Sequence, residues 1–535
     1  MSIPHSISTL IDKHSTLELE SIDRMYLNIY QPKLQIPIGA VSYLKNRKGA
    51  QIASTCLFDA ITKEFIKQVD RFAIKNNLPL FTFLRGKRKD DIAKEHLSQF
   101  QHKEGVLFIG KAQEKTYTFR TEKRTSAVTG KTYPWIVKST AMVNQYYFYL
   151  LDEDFGPFFL KYSSYFPYNA KLCINGHEYL KRQLDKEGIA YEALDNGIRS
   201  CANPQRMQEI ADELSPEKIA DLLHKWQTFL PSPFSLEDTQ AGYQYSISIL
   251  QAEFSLTHVF DAPDIGRLYF EEAIRENLDM GRPDQVQLIF DRKVTKATPS
   301  QFRTRVVTEG VTPSLHVDYK MSRIKQYHKE GIALRTETTI NNTRDFRIGK
   351  NILNLPALRK VGFAANRRLL KTERLSHDPA IGEEVFQRAQ HPVTQENQRT
   401  SAIRFGDLSV QAILQAVSMF VFQVNGFANR DLKVKYAELM GVSANELSQA
   451  QMTYQLRRLR LHGLIVRQPK SHRYLLTEAG LRLSQLYIRV YARILRPGLS
   501  YLFSPETTIE GEGRDPFLML QTAMNVCFQS AQLAA

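Results

Sequence analysis

Cysteine is scarce and scattered: Cys56, Cys173, Cys201 and Cys527 are the four in 535 residues, and no two form a Cys-x-x-Cys pair. This excludes a disulfide framework. With no His cluster at ligand spacing, a structural zinc site is excluded as well, and a reducing compartment is the simplest expectation. Long apolar runs are missing too. Nowhere do eighteen uncharged apolar residues follow one another, so no transmembrane helix is expected. The opening MSIPHSISTLIDKHS lacks the basic start and apolar core of an export signal, which points to a cytoplasmic location. The absence of any fixed-period repeat or low-complexity tract disfavours solenoids, rods and disordered scaffolds. No Gly-x-x-x-x-Gly-Lys-Ser/Thr occurs, so the ATPase type of phosphate loop is absent.

Acidic charge is the other shortage: 71 Lys and Arg face 56 Asp and Glu, for a formal net charge of +15. Basic surfaces gain free energy on polyanions by releasing condensed counterions, so nucleic acid leads as a partner and acidic lipid trails. A merely solvated basic surface is the alternative, and the location of the charge decides between them. Hydrophobic residues make up 43% of the chain, enough to fill cores, and the length implies two to four domains.

Residues 1–203 read as an α/β domain. It has strands at 25–30, 78–84 and 106–110, a helix at 60–75, and a Tyr/Phe-rich hairpin at 143–151 and 158–166 around Asp152, Glu153, Asp154 and Gly156. Asn175 is placed to cap a helix over 176–186. Residues 204–284 read as mainly helical, including 216–229 and 242–260, with a Pro-rich joint at 230–233. Residues 285–376 carry five short strands (285–290, 303–308, 315–319, 323–328, 333–340), which suggest an antiparallel sheet, and then a basic helix. Residues 343–374 hold nine Lys/Arg against two acidic residues, with Arg367, Arg368 and Lys371 at helical spacing, so the helix can extend a nucleic-acid track. A polar, aperiodic stretch at 377–404 reads as a linker, 405–500 as a separate module and 501–535 as a tail.

The module at 405–500 predicts helices over 410–422, 431–440 and 448–462, two short strands at 464–468 and 473–477 joined by Pro469-Lys470-Ser471-His472, and a closing helix over 478–495. In MTYQLRRLRLHGLI the helical phase buries Met452, Leu456, Leu459 and Leu464 and leaves Gln455, Arg457, Arg458 and Arg460 outside. A helix in a major groove needs long donors for bases and phosphates, and a wing needs cations for the neighbouring backbone; Arg467, Lys470 and Arg473 fit the wing. Residues 451–500 contain ten Lys/Arg and one acidic residue, so the charge is localised. Over about ninety residues (405–497) this segment resembles the winged helix-turn-helix superfamily. The resemblance is closest to regulators whose Leu-rich recognition helix ends in Gly-Leu-Ile and whose wing leads into Leu-Thr-Glu-Ala-Gly, here Leu476 to Gly480. It implies duplex-DNA binding; winged helices also serve as protein–protein modules. The fold class expected is therefore α+β multidomain, with a mixed α/β N-terminal body, an antiparallel sheet-bearing middle and a C-terminal winged helix.

In the middle segment, strand alternation puts His316 and Asp318 on one face of one strand, Lys325 and Tyr327 on the next, and Arg335, Glu337 and Thr339 on a third. Where these faces coincide, Asp318 and Glu337, with His316, can hold Mg²⁺ or Mn²⁺, because hard cations take carboxylate oxygen and phosphate transfer uses a metal to polarise the scissile phosphate. Lys325 or Arg335 would steady developing charge. Cross-strand ion pairs on a solvent face are the competing account. The pattern Ile-Lys-x-Tyr-x-Lys-Glu followed by Leu-Arg-x-Glu, within 314–342, is similar to a strand pair in rolling-circle replication initiators, which nick DNA with a tyrosine and a divalent metal; the His-hydrophobe-His pair of many such nickases is absent. Under that resemblance Tyr327, or Tyr179 in GHEYLKRQL, is the candidate nucleophile. Taken whole, the chain is similar to uncharacterised bacterial proteins, which implies a prokaryotic origin.

Two further signals stand out. Arg85, Lys87, Arg88 and Lys89 beside Asp90 and Asp91 form a basic turn able to hold phosphate ahead of a helix. The aromatic run from Tyr146 to Tyr168 can stack unpaired bases if exposed and is core if buried; alternation on a hairpin favours burial. The readings converge on a DNA-binding protein acting at a DNA site by nicking, replication initiation or mobile-element chemistry. The alternatives are a non-catalytic winged-helix regulator and a single-stranded RNA-binding protein.

Overall fold

The computed structural model describes residues 7–84, 89–278, 285–288, 303–309, 312–376, 383–395 and 397–496. The chain is mixed α and β and divides into two compact units, each discontinuous in sequence. Residues 15–261 with 320–366 form one, here the body; 1–14, 262–319 and 367–535 contribute the other, here the C-terminal unit. In chain order the body opens with β1 (Ser15–Tyr30), β2 (Leu80–Thr82), β3 (Gly105–Thr125), β4 (Thr132–Asp152), β5 (Gly156–Ser163), β6 (Ala170–Asn175), β7 (Tyr191–Leu194), β8 (Gly197–Cys201) and β9 (Ser246–Phe260). Then β10 (Gln285–Leu288), β11 (Arg303–Glu309) and β12 (Thr312–Tyr319) fall in the C-terminal unit, and β13 (Ser322–Lys329) and β14 (Ala333–Ile340) return to the body. Last come β15 (Val393–Gln395), β16 (Gln398–Thr400), β17 (Phe427–Ala428), β18 (Ile465–Arg467) and β19 (Arg473–Leu476).

The body is built on strands in the order β13-β14-β9-β1-β6-β5-β4-β3-β2, antiparallel except for the β2–β3 pair. β9 departs from the helix expected over 242–260. Its stretch from Gln251 to Thr257 alternates polar and apolar with the period of two that a strand has, and the polar side is largely buried as well because it faces the body's polar centre. β-branched and small residues on β9 (Ile247, Ile249, Thr257, Val259) suit the pleat. The aromatic run is core: Tyr146, Phe148, Leu160, Tyr162, Phe166 and Tyr168 are at most 1% exposed, so the rings from 146 to 168 are not a base-stacking platform. β3 and β4 pair from Gly105↔Leu151 to Thr125↔Thr132, whereas β2 stops at Lys111 and β5 at Gln145. Their outer part is thus a two-stranded ribbon.

In the C-terminal unit, helices Leu408–Val417, Phe420–Asn425, Asn429–Met440, Gln449–Leu461 and Glu478–Val490 surround a small antiparallel sheet in the order β17-β19-β18. Local signals set their ends. The Asp407 carboxylate accepts from the Ser409 amide, Ser448 and Gln451 form a reciprocal cap, Gly441 at φ 70° ends Asn429–Met440, and Thr477 accepts from the Gly480 amide. The helix expected over 410–422 breaks in two near Ser418, and the expected linker holds a helix, Glu383–Gln390, and the β15–β16 hairpin. Residues 501–535, Arg85, Lys87 and Arg88 lie outside the described residues.

Candidate functional site

A β-bulge opens the body's polar centre. Along β1 and β9, Ile22 pairs with Phe254 and Met25 with Ala252, so Asp23 and Arg24 together oppose Glu253. Bulges re-aim side chains, and Asp23 is turned into the fold at 5% exposure. On the neighbouring strands the registers Lys325↔Glu337, Tyr327↔Arg335, Glu337↔Ser255 and Thr339↔Glu253 line up one polar row across β13, β14 and β9. Lys325, Tyr327, Arg335 and Glu337 fall in this row.

A helix, Gly176–Lys186, completes the cluster. Asn175 caps it, accepting from the amides of His177 and Glu178, and Gly176 lets it approach β1 closely: a Cβ there would stand 2.1 Å from the Ile22 carbonyl oxygen. His177 is thereby seated, fully buried, against Arg335 and Ser255, its Nε2 2.8 Å from Arg335 Nη2 and 3.3 Å from Ser255 Oγ. Arg335, itself 0% exposed, donates to Asp23 Oδ2 at 2.6 Å and to the Asn196 carbonyl, and its Nε lies 3.6 Å from Glu337 Oε2. Asn196 also donates to Asp23 Oδ1, and Tyr327 donates to Glu337 Oε2 at 3.4 Å.

The electrostatics follow from putting three carboxyls around one guanidinium in a dry place. Burial and the Arg335 charge push His177 down to about 3, so the ring is neutral and its Nε2 accepts from Arg335. Burial opposes ionisation of Asp23, but Arg335, His177 and Asn196 outweigh it and hold its pKa below the ordinary value. Burial and then the Asp23 charge push Glu337 up to about 7, and the same two causes raise Glu253. Asp23, Glu253 and Glu337 each offer a carboxylate oxygen within 4.8 Å of the others, so the buried triad can hold a metal ion.

Glu337 is the predicted metal residue found in this group. Its companions, Asp23 on the bulge and Glu253 opposite, were not singled out by the sequence; the adjacent charged pair Asp23-Arg24, which interrupts the alternation of β1, was the available signal. Lys325 sits over the Tyr327 ring at 4.4 Å. Asp318 and His316 lie on β12 in the C-terminal unit, where Asp318 is 5% exposed and opposite Arg303, and His316 Nε2 is 3.0 Å from Ser314 Oγ. Tyr179 is 2% exposed, accepts a hydrogen bond from Lys218 at 2.7 Å, and lines a cavity of about 340 Å³ with Asp152, Lys218 and Lys225; Asp23, Glu253 and Glu337 are not part of that lining.

The expected nucleic-acid residues separate into two groups. Arg457, Arg467 and Lys470 are exposed, Gln455 and Arg460 half-buried, and Lys470 sits at the hairpin turn with φ 54°. Arg367 is exposed, and Lys371 pairs with Glu478 at 2.7 Å. Arg458, placed outside by helical phase, is instead buried and donates to the Ala402 carbonyl. Arg473 donates to the carbonyls of Asn425 and Gly426 and pairs with Asp431, and Arg368 donates to those of Gln423 and Val424. These three guanidiniums tie backbone together, because a fork of fixed donors satisfies several buried carbonyls at once. Against models of protein families, curated proteins and solved structures, the chain shows no match.

Proposed function

We propose that the protein binds duplex DNA through a winged helix spanning Leu408 to Val490 and acts at a DNA site. The observation that supports this most is the exposed face of Gln449–Leu461 (Gln449, Gln451, Thr453, Tyr454, Arg457), followed directly by the β18–β19 hairpin with exposed Arg467, Lys470 and His472. The order of two short helices, strand, two helices, hairpin and helix is compatible with a groove-reading helix and a phosphate-straddling wing lying side by side. Fluorescence anisotropy with a labelled duplex tests it. A variant with Arg457→Ala, Arg467→Ala and Lys470→Ala is expected to bind at least tenfold more weakly and to lower the salt slope by about 3. Unchanged affinity and slope would remove the reading.

A second reading, metal-dependent nicking of the kind used by replication initiators and mobile-element proteins, is supported by the acidic triad with its neighbouring Tyr327 hydroxyl. Mg²⁺ or Mn²⁺ is the ion that suits an all-oxygen set beside phosphate. The depth of Asp23 and Arg335 weighs against it, since a phosphodiester has to reach the ion, and favours a non-catalytic regulator. Incubation of supercoiled DNA with protein and Mg²⁺, Mn²⁺ or EDTA separates the two. Nicking that needs metal and vanishes in Glu337→Ala with duplex affinity retained would establish the nickase; binding without cutting would leave the regulator.

A further inference from the structure

The body's own cations and rings gather on the outer β3–β4 ribbon. Lys115, Arg120, Lys123, Arg124, Lys131 and Lys138 are exposed there, against Glu114 and Glu122. Among the described residues Lys115, Lys123, Lys131 and Lys138 make no ion pair, whereas Arg120 is held by Glu122 at 2.5 Å. Three large rings stand in solvent among them: Tyr117 at 76%, Tyr133 at 40% and Trp135 at 45% exposure.

Register explains why one face of the ribbon is anchored and the other open. Phe119, opposite Lys138, and Ile136, opposite Thr121, point to one side and join the core cluster of Leu34, Tyr43 and Phe166. Arg124, opposite Tyr133, and Glu122, opposite Trp135, share the other side. There the Arg124 guanidinium lies 5.0 Å from the Trp135 ring centre, and Tyr133 meets Trp135 edge-on at 6.2 Å. The same register puts Lys115, Tyr117, Lys123 and Lys138 on the side of Phe119 and Ile136 and Lys131 in the connecting turn, whereas Tyr133 and Trp135 share their side with Arg120 and Arg124, both paired with Glu122. Unpaired cations on one side and at the tip of a narrow ribbon, with exposed rings on the other, suit a flexible polyanion that wraps the ribbon and offers flat apolar faces.

We propose that the outer β3–β4 ribbon binds single-stranded DNA wrapped about its tip, with Lys123, Lys131 and Lys138 meeting the phosphates on one side and at the turn while Trp135 and Tyr133 stack on unpaired bases on the other. Duplex DNA hides those faces, so the ribbon and the winged helix address different forms of the same polymer. The choice of DNA over RNA rests on the duplex-binding reading; the ribbon's recognition of unpaired bases does not.

The chain's two tryptophans make the test specific. Trp226 is 4% exposed with its Nε1 donated to Asp152, so quenching by an added oligonucleotide reports Trp135. Titration of the full chain with oligothymidylate of about 12 nucleotides should quench fluorescence, with a salt-sensitive affinity. Trp135→Phe should abolish the quench, and Trp135→Ala should weaken binding, read by anisotropy, about tenfold. Lys123→Gln with Lys131→Gln and Lys138→Gln should lower the salt slope by about 2. The variant lacking Arg457, Arg467 and Lys470 should keep oligothymidylate binding while losing the duplex, which distinguishes failure of one site from failure of the other. Absence of quenching, a tighter hold on oligouridylate or on a duplex of equal length, or an unchanged slope in the lysine variant would each overturn the proposal.

Discussion

Glu337 is held where ionisation is disfavoured, and this gives stability a definite dependence on pH. Its folded pKa, about 7, lies above the ordinary 4.5, so the folded state binds the extra proton. The benefit is fully present below about pH 4.5 and is lost as pH rises to about 7, amounting to about 3 kcal/mol. His177 runs the other way: lowered from 6.5 to about 3, it costs stability as pH falls through that interval, so the two slopes oppose each other between 4.5 and 6.5. Glu337→Gln removes only the first. In urea unfolding, the Gln variant should gain on the parent as pH is raised from about 5 to about 8; parallel curves would show a carboxyl that titrates normally. Arg335 is the opposite case, a charge that three buried groups require. Arg335→Met should lower the unfolding free energy by about 3–5 kcal/mol, because Asp23 is then left ionised and uncompensated, and adding Asp23→Asn should restore part of it. A loss under about 1 kcal/mol would mean that water already compensates Asp23.

At the scale of elements, close approach is the exacting feature. Gly176→Ala drives a methyl into the Ile22 carbonyl, so the helix carrying His177 must retreat from β1, at an expected cost of about 1–3 kcal/mol in urea unfolding. In helix Gln449–Leu461, neighbouring arginines should divide cleanly: Arg458→Ala is expected to lower stability by about 2 kcal/mol and Arg457→Ala to weaken duplex binding with stability unchanged. Equal effects of the two on thermal melting would contradict that division. Much of this level was legible from residues alone. Asn175, Ser448, Gly441 and Thr477 mark element ends through side chains and glycines that act on their own neighbours, and the three strands at 315–340 follow alternation. β9 was not recognised as a strand although Gln251 to Thr257 alternates polar and apolar, because the length of the uninterrupted segment suits a helix equally well. Nor were Asp23 and Glu253, whose meeting depends on a bulge between strands more than 200 residues apart in sequence. Arg458 shows the same limit: helical phase gives a direction, and only the neighbouring Ala402 carbonyl decides that the direction is inward.

At the scale of the whole molecule, both units are discontinuous in sequence; the body takes β13 and β14 from beyond an intervening stretch of the other unit. A chain truncated after Asp261 therefore keeps β9 but leaves its hydrogen-bonding edge open where β14 belongs. It should form aggregates on size exclusion, as unpaired central strands do, and a soluble monomer would argue that β13 and β14 are an accessory. The same arrangement has a consequence during synthesis. β9 ends at Phe260 and β14 begins at Ala333, so at about 5–20 residues per second a growing chain waits roughly 4–15 s between making an edge and making its cover. For that interval Glu253 has no Glu337 near it and Asp23 no Arg335. Glu253, the one carboxyl on β9, then disfavours pairing of the open edge with the same strand of another nascent chain, since two like charges would be buried side by side, so a residue of the cluster can act as a guard while the body is still being made.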